Sequence, residues 1–179
     1  KCLMNYHLNK LLVNKYVDAI ITISETSKKD IARLLKFNPE EIYVVYLGPK
    51  AAHIKLKPGK WQEEIVRRFH LKEDFVVYFG DINYNKNIPT LVNSCKAQKI
   101  QLVLVGKQAL EVEKMDLSHP ENAHLKPIYK DLVSSKNIVR TGFISDEDAN
   151  KLLNLATCLV QPSYYEGFGL SVINAFASG

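Results

Sequence analysis

The chain has 179 residues, 46% of them hydrophobic, with 24 Lys and Arg against 19 Asp and Glu, a net charge of +5 and a pI near 9.0. This balance excludes a disordered chain, and no apolar run approaches the ~18 residues of a membrane-spanning helix. The lysines are scattered, without the basic–aromatic interleaving of a nucleic-acid binder, so the surplus charge suits a nucleotide or an anionic membrane surface.

In chain order, Leu8, Leu11, Leu12 and Tyr16 recur at helical spacing and predict an amphipathic helix over residues 4–16. Its apolar side suits a partner domain; peripheral membrane contact through its lysines is the other option. Residues 18–23 predict a short buried strand, Ser24 to Ser27 the start of a helix reaching about Lys36, and 42–46 a second strand after the Asn38-Pro39 break. Gly48-Pro49 and Pro58-Gly59 punctuate a stretch without periodicity, a linker over 48–74 that carries a short helix at 61–69. From Phe75 onward strands are expected at 75–79, 101–105, 137–140 and 157–160, and helices at 88–99, 108–115, 128–135, 146–156 and 170–177. The alternation predicts an α/β fold, a Rossmann-like parallel sheet with helices on both faces. Ligands of such sheets bind beyond the carboxyl ends of the strands. Gly80, Gly106, Gly142 and Gly167 all follow strands, so four loops can meet in one crevice.

The most specific stretch is the last, from Tyr164 to Gly179. A strand ends at Gln161-Pro162-Ser163, and Glu166 and the Gly167-Phe168-Gly169 loop lead into a helix. Glycines let backbone N–H groups approach a ligand, and a helix N-terminus favours an anion. A carboxylate beside such a site suits neutral hydroxyls, so the pattern points to a phosphorylated sugar. Asp146-Glu147-Asp148 has the D-x-D form of a manganese site, but it follows Ser145 and opens a helix, where acidic residues complement the dipole. His119 and His124 flank a solvent-facing loop, and no metal is expected there or elsewhere. Cys2, Cys95 and Cys158 are odd in number and widely spaced, which predicts free thiols and a cytoplasmic location, with the inner membrane face as an option.

Four segments resemble the family 4 (group 1) glycosyltransferases in order and spacing. They are Asp18 to Ser24 with Ser27 to Ile31, Val44 to Gly48, Tyr78-Phe79-Gly80-Asp81 through Lys86-Asn87, and Glu166 to Gly179. The resemblance implies the GT-B arrangement of two facing Rossmann-like domains. Residues 1–47 would end the N-terminal, acceptor-side domain, 48–74 would be the linker, and 75–179 an incomplete C-terminal domain that binds a nucleotide-sugar. Lys1 and Gly179 read as a start and a stop within a longer protein, with the acceptor half outside it, so the fragment alone is expected to be inactive.

The resemblance also implies roles. Lys86 matches a lysine that contacts the donor diphosphate, where a fixed cation stabilises charge on the leaving group. Glu166 matches a glutamate that contacts the donor sugar hydroxyls, and these two carry the catalysis. Gly80 and Asp81 belong to the donor loop, Gly167, Phe168, Gly169 and Leu170 offer backbone amides, and Phe143 and Ile144 lie where the main chain meets the base. Two departures stand out. Asp81 replaces a basic residue, which takes from Lys86 its usual partner, and Asn174 replaces the glutamate that grips the ribose. Asparagine keeps a carbonyl acceptor but loses the charge. The implied reaction is retaining, metal-independent and cofactor-free hexosyl transfer to a glycan or lipid-linked acceptor. A likeness to bacterial mannosyltransferases around Gly80 to Asn87 favours GDP-mannose over UDP-glucose as donor. Asp81 and Asn174 keep open a non-catalytic nucleotide-sugar-binding module of the same fold, whereas a GT-B epimerase is disfavoured because the Glu166 signature belongs to transferases.

Overall fold

A computed structural model describes residues 2–179, with side chains from Asn5 onward. The chain divides into two compact units, 1–48 with 166–170, and 49–165 with 171–179.

The first unit contains α1 (Cys2–Tyr16), β1 (Ile20–Thr22), α2 (Glu25–Leu35) and β2 (Ile42–Val44). Ser24 caps α2 by accepting the Ser27 N–H at 3.0 Å, satisfying a donor that the helix leaves over. Lys36, in the left-handed conformation, ends α2, and Asn38 accepts the Glu40 N–H in the turn that follows. β1 and β2 pair in parallel, Ile20 beside Ile42. Asn14 ties α1 to α2 through the Leu35 carbonyl at 2.8 Å. Among the described residues little covers the apolar side of α1, where Leu11 is 69% and Tyr16 67% exposed. The expectation of a buried strand at 18–23 needs correction. Only Thr22 of β1 is buried and Ile21 is 73% exposed, because the two-stranded sheet has nothing over its outer side among the described residues.

The second unit opens with an extended segment, 49–60, and α3 (Trp61–Phe69), then runs through β3 (Phe75–Phe79), α4 (Ile88–Gln98), β4 (Gln101–Val105), α5 (Lys107–Leu110), α6 (Tyr129–Ser134), β5 (Ile138–Gly142), α7 (Asp146–Leu155), β6 (Cys158–Leu159) and α8 (Leu170–Ser178). The strand order is β5-β4-β3-β6, all parallel, as crossover helices require. Side chains alternate across the sheet. Val76, Tyr78, Leu102 and Leu104 pack on Leu91, Val92 and Cys95 of α4, while Phe75, Val77, Val103 and Val105 pack on Ile65 and Phe69 of α3 and Leu152 of α7. The α/β fold with helices on both faces is therefore present. Each fully buried aliphatic side chain contributes roughly 1.5–3 kcal/mol, and Val77, Val103, Leu102 and Leu104 are all 0% exposed.

Two elements differ from expectation. The helix expected at 108–115 breaks at Glu111 (φ −90, ψ 4), after which Lys114 and Met115 donate only three residues back, in 3₁₀ geometry. The strand expected at 157–160 shortens to two residues, although the flanking Thr157 and Val160 N–H groups still bond to Phe75 and Val77. Gln101, 2% exposed, closes the turn between α3 and β3 by accepting the Lys72 N–H and donating to the His70 carbonyl.

Candidate functional site

The site of interest in the second unit is the carboxyl edge of its sheet. The Gly80 N–H donates to Val105, and the Gly106 N–H donates to the Gly142 carbonyl at 3.1 Å, so three of the loop glycines lie together at the strand ends. A Cβ on Gly106 would collide with the Gly80 carbonyl oxygen. Gly142 sits at φ +72, where a Cβ would also press on Leu110. Glycine is what lets the strand ends close in this way.

Buried Tyr78 holds the loop after β3, its hydroxyl donating to the Asp81 carbonyl at 2.6 Å, and the Ile82 N–H donates to Gln108 Oε1. The loop then makes a short turn, Tyr84–Lys86, closed by Asn87 at φ 53. The segment after β6 is tied to this turn. The Tyr164 N–H donates to the Asn85 carbonyl at 2.8 Å, Asn87 donates to the Pro162 carbonyl, and the Tyr84 and Tyr164 rings lie 5.6 Å apart. Lys86 is thereby carried, half-buried, on a turn fixed at both ends, with exposed Asp81 at its start. Phe143 and Ile144 diverge after Gly142: Phe143 is 89% exposed, whereas Ile144 packs against the core.

Glu166 to Leu170 group with the first unit. There the Phe168 ring stacks on Tyr46 at 6.2 Å, and Gly169 takes φ +82, which favours glycine. Glu166, Gly167, Phe168, Gly169 and Leu170 are all half-buried.

Asn174 is 8% exposed, and its Oδ1 accepts the Lys50 N–H at 3.0 Å. It belongs to a network that sequence reasoning missed. Asn150 Oδ1 accepts the Ile54 N–H and the Ser178 hydroxyl, Asn154 Oδ1 accepts the Leu56 N–H at 2.7 Å, and Asn154 Nδ2 donates to the Ile54 carbonyl. Side-chain amides of α7 and α8 thus replace a sheet partner for residues 50–56. The four-residue spacing of Asn150 and Asn154, beside Ala149 and Leu152, was the available signal.

The acidic start of α7 is helix chemistry. Ser145 caps it by accepting the Asp148 N–H, and Asp146, Glu147 and Asp148 pair with Lys50, Lys151 and Arg68 at 2.8, 2.6 and 2.9 Å. The Lys50 ammonium holds the Asp146 carboxyl below the usual carboxylate range. His53, 5% exposed and with Nδ1 unpartnered, is pushed below the usual imidazole value by burial, against the pull of Asp146 and with the help of Lys50. Among the described residues no helix is long and apolar enough to cross a membrane.

Comparison with known proteins places this geometry. Residues 60–179 match the family described as glycosyl transferases group 1. The serotype-specific mannosyltransferase WbdA of Escherichia coli is 25% identical over 97% of this chain and 21% of its own length. A glycosyltransferase of Methanocaldococcus jannaschii is 24% identical over 89% of this chain and 40% of its own. The chain therefore spans less than half the length of these relatives. Among solved structures, HepE of Anabaena in complex with UDP and glucose superposes with a TM-score of 0.76 at 19% identity, over 98% of this chain and 46% of that one. WaaG, a glycosyltransferase involved in lipopolysaccharide biosynthesis, superposes at 0.65 with 13% identity, over 88% and 41%. With a family match over two-thirds of its residues and the same α/β fold, this chain belongs to the group 1 glycosyl transferases.

Proposed function

We propose that the protein containing this chain transfers a hexose from a nucleotide diphosphate sugar to a glycan or lipid-linked acceptor. The carrying observation is that the family match covers the sheet whose carboxyl edge Gly80, Gly106 and Gly142 clear of side chains, with Lys86 on the turn that follows β3. An edge of this kind is where α/β sheets bind nucleotides. In this reading Lys86 offsets charge on the departing diphosphate. Glu166 accepts hydrogen bonds from the sugar hydroxyls, and the amides of Gly167 to Leu170 hold phosphate or sugar oxygens. Transfer retains configuration and uses no metal, and this chain alone binds donor without turnover. Mannosyltransferase relatives support GDP-mannose, while the UDP and glucose bound by HepE support UDP-glucose.

The test is calorimetric titration of the chain with GDP, UDP and ADP and with the two nucleotide-sugars, repeated with Lys86→Ala and Glu166→Ala. One diphosphate should bind selectively. Lys86→Ala should weaken it about tenfold or more, and Glu166→Ala should affect the nucleotide-sugar more than the bare diphosphate. Equal binding by all three proteins would overturn the assigned roles.

A second reading, a binding module without turnover, is favoured by Asn174, whose carbonyl oxygen is committed to the Lys50 N–H. It predicts that Asn174→Glu in the full-length protein brings no transfer activity and that donor binding persists throughout.

A further inference from the structure

Two thiols meet at the open side of the second unit's sheet. Cys158 lies on β6, the edge strand, which among the described residues is joined to the sheet by β3 alone. It stands opposite Val76, and paired residues of a sheet share a face. The next residues follow the alternation: Leu159, opposite Val77, packs in the core under α3 and α7, and Val160 packs in the core under α4. Cys158 therefore shares the α4 face with Val76 and Val160, and Cys95 of α4 packs in that same core. Both are free thiols, Cys158 exposed and Cys95 buried.

Their surroundings set an order of reaction. Burial pushes the Cys95 thiol up, and negative charge on Cys158 adds to the rise, so Cys95 stays protonated while Cys158 faces solvent. The thiolate is the nucleophile, so an oxidant meets Cys158 first. A cavity of about 560 Å³ lies between α4 and the β6 side of the sheet, with Val76, Leu91, Cys95, Val160 and Pro162 in its wall. A disulfide needs Cα atoms within about 7 Å, and the cavity gives a two-residue edge strand room to close on α4.

We propose that Cys158 is a hydroperoxide-sensitive site whose oxidised sulfur Cys95 captures, joining β6 to α4 through a reversible disulfide. In the first step Cys158 Sγ attacks a peroxide oxygen, the O–O bond breaks, and the thiol proton leaves with the hydroxide as water. The sulfur is oxidised to a sulfenic acid and the peroxide is reduced. In the second step Cys95 Sγ attacks the sulfenic sulfur, the S–O bond breaks, and the Cys95 proton leaves in a second water. The protonated sulfenic acid carries no thiolate charge, so the repulsion acting on Cys95 is relieved before its turn comes. The cross-link joins two elements that meet at the Tyr84–Lys86 turn: α4 follows it, and the segment after β6 holds it through the Tyr164 N–H bond to Asn85.

The test adds hydrogen peroxide in modest excess to the wild-type chain and reads intact mass and peptide maps before and after dithiothreitol. A peptide pair linking Cys95 to Cys158 should form within one chain, with the loss of two hydrogens, and dithiothreitol should restore both thiols. In Cys95→Ala, Cys158 should stop at the sulfenic acid and be trapped by dimedone. In Cys158→Ala, Cys95 should be oxidised at least about tenfold more slowly than Cys158 is in wild type. The cross-linked protein should keep its circular dichroism and unfold at a higher urea midpoint, because closing the loop from 95 to 158 constrains the unfolded chain. Both thiols left intact, oxidation of Cys158 that leaves Cys95 reduced, or a disulfide to Cys2 or to a second chain overturns the inference. So does a cross-link that lowers the urea midpoint, since the native fold would not then bring the two sulfurs together.

Discussion

Asn150→Ala should release the segment that α7 and α8 hold by side-chain amides. Asn150 is 3% exposed, and its Oδ1 accepts from the Ile54 N–H at 3.2 Å, the Ser178 hydroxyl at 2.8 Å and Asn154 Nδ2 at 3.0 Å. A neutral hydrogen bond contributes about 1 kcal/mol net, and a buried donor left without a partner costs about 1–3 kcal/mol. Two of the three losses are partial, because Ser178 can turn to the Asn174 carbonyl and Asn154 keeps the Ile54 and Asn150 carbonyls. The Ile54 N–H is the donor left exposed to the full penalty. The expected cost is therefore about 2–3 kcal/mol, roughly a 30- to 150-fold shift in the folding equilibrium. Urea unfolding followed by the fluorescence of Trp61 measures it, since the single tryptophan packs against the core of the same unit. Amide hydrogen exchange supplies the local readout: Ile54 should lose protection while Leu56, held by Asn154, keeps most of its own. A cost below about 0.5 kcal/mol with Ile54 protection intact would refute the assignment of Asn150 as the clamp.

Gly106→Ala should destabilise the second unit by about 1–3 kcal/mol or more, as overpacking against fixed backbone does, because the new methyl meets the Gly80 carbonyl oxygen. Gly48→Ala, with nothing within 4 Å of the added carbon, is the control and should leave the urea midpoint unchanged. Burial depresses His53, so the unfolded chain takes up its proton first. Stability should be complete above about pH 6.5 and fall as the pH drops from there through the lower folded-state value. Urea midpoints between pH 7.5 and 5.5 should drop in wild type and flatten in His53→Gln. Asp146, also depressed, loses its contribution only as the pH falls through the ordinary carboxylate range and below it, so it does not mask the effect. An equal drop in His53→Gln would exclude His53 as the source.

The parts of the fold that were legible are those where burial on both faces dictates composition. Phe75 to Phe79 and Leu102 to Val105 are continuous apolar runs ended by glycine, and the strands β3 and β4 contain them. Trp61 to Phe69 carries its two buried residues, Ile65 and Phe69, four apart and is a helix over that span. What was not legible depends on partners distant in sequence. Nothing in residues 49–60 shows that amides a hundred positions later would hold them, nor that Asn174 would accept the Lys50 N–H. The contact of Tyr84 with Tyr164 likewise joins two loops of unremarkable polar composition. Ile21 looked buried because apolar composition reports a tendency, whereas exposure depends on what lies over the strand.

The amide clamp also sets a rule for making chimaeras with related transferases. Residues 50–56 and 150–178 are one cooperative piece whose halves are separated by most of the second unit. A crossover placed anywhere from about residue 60 to 145 would unite the extended segment of one parent with the asparagines of another. A crossover before Lys50 keeps the donor–acceptor pairs from a single parent. Recombination libraries of this family should therefore cut upstream of the clamp, or exchange both halves together.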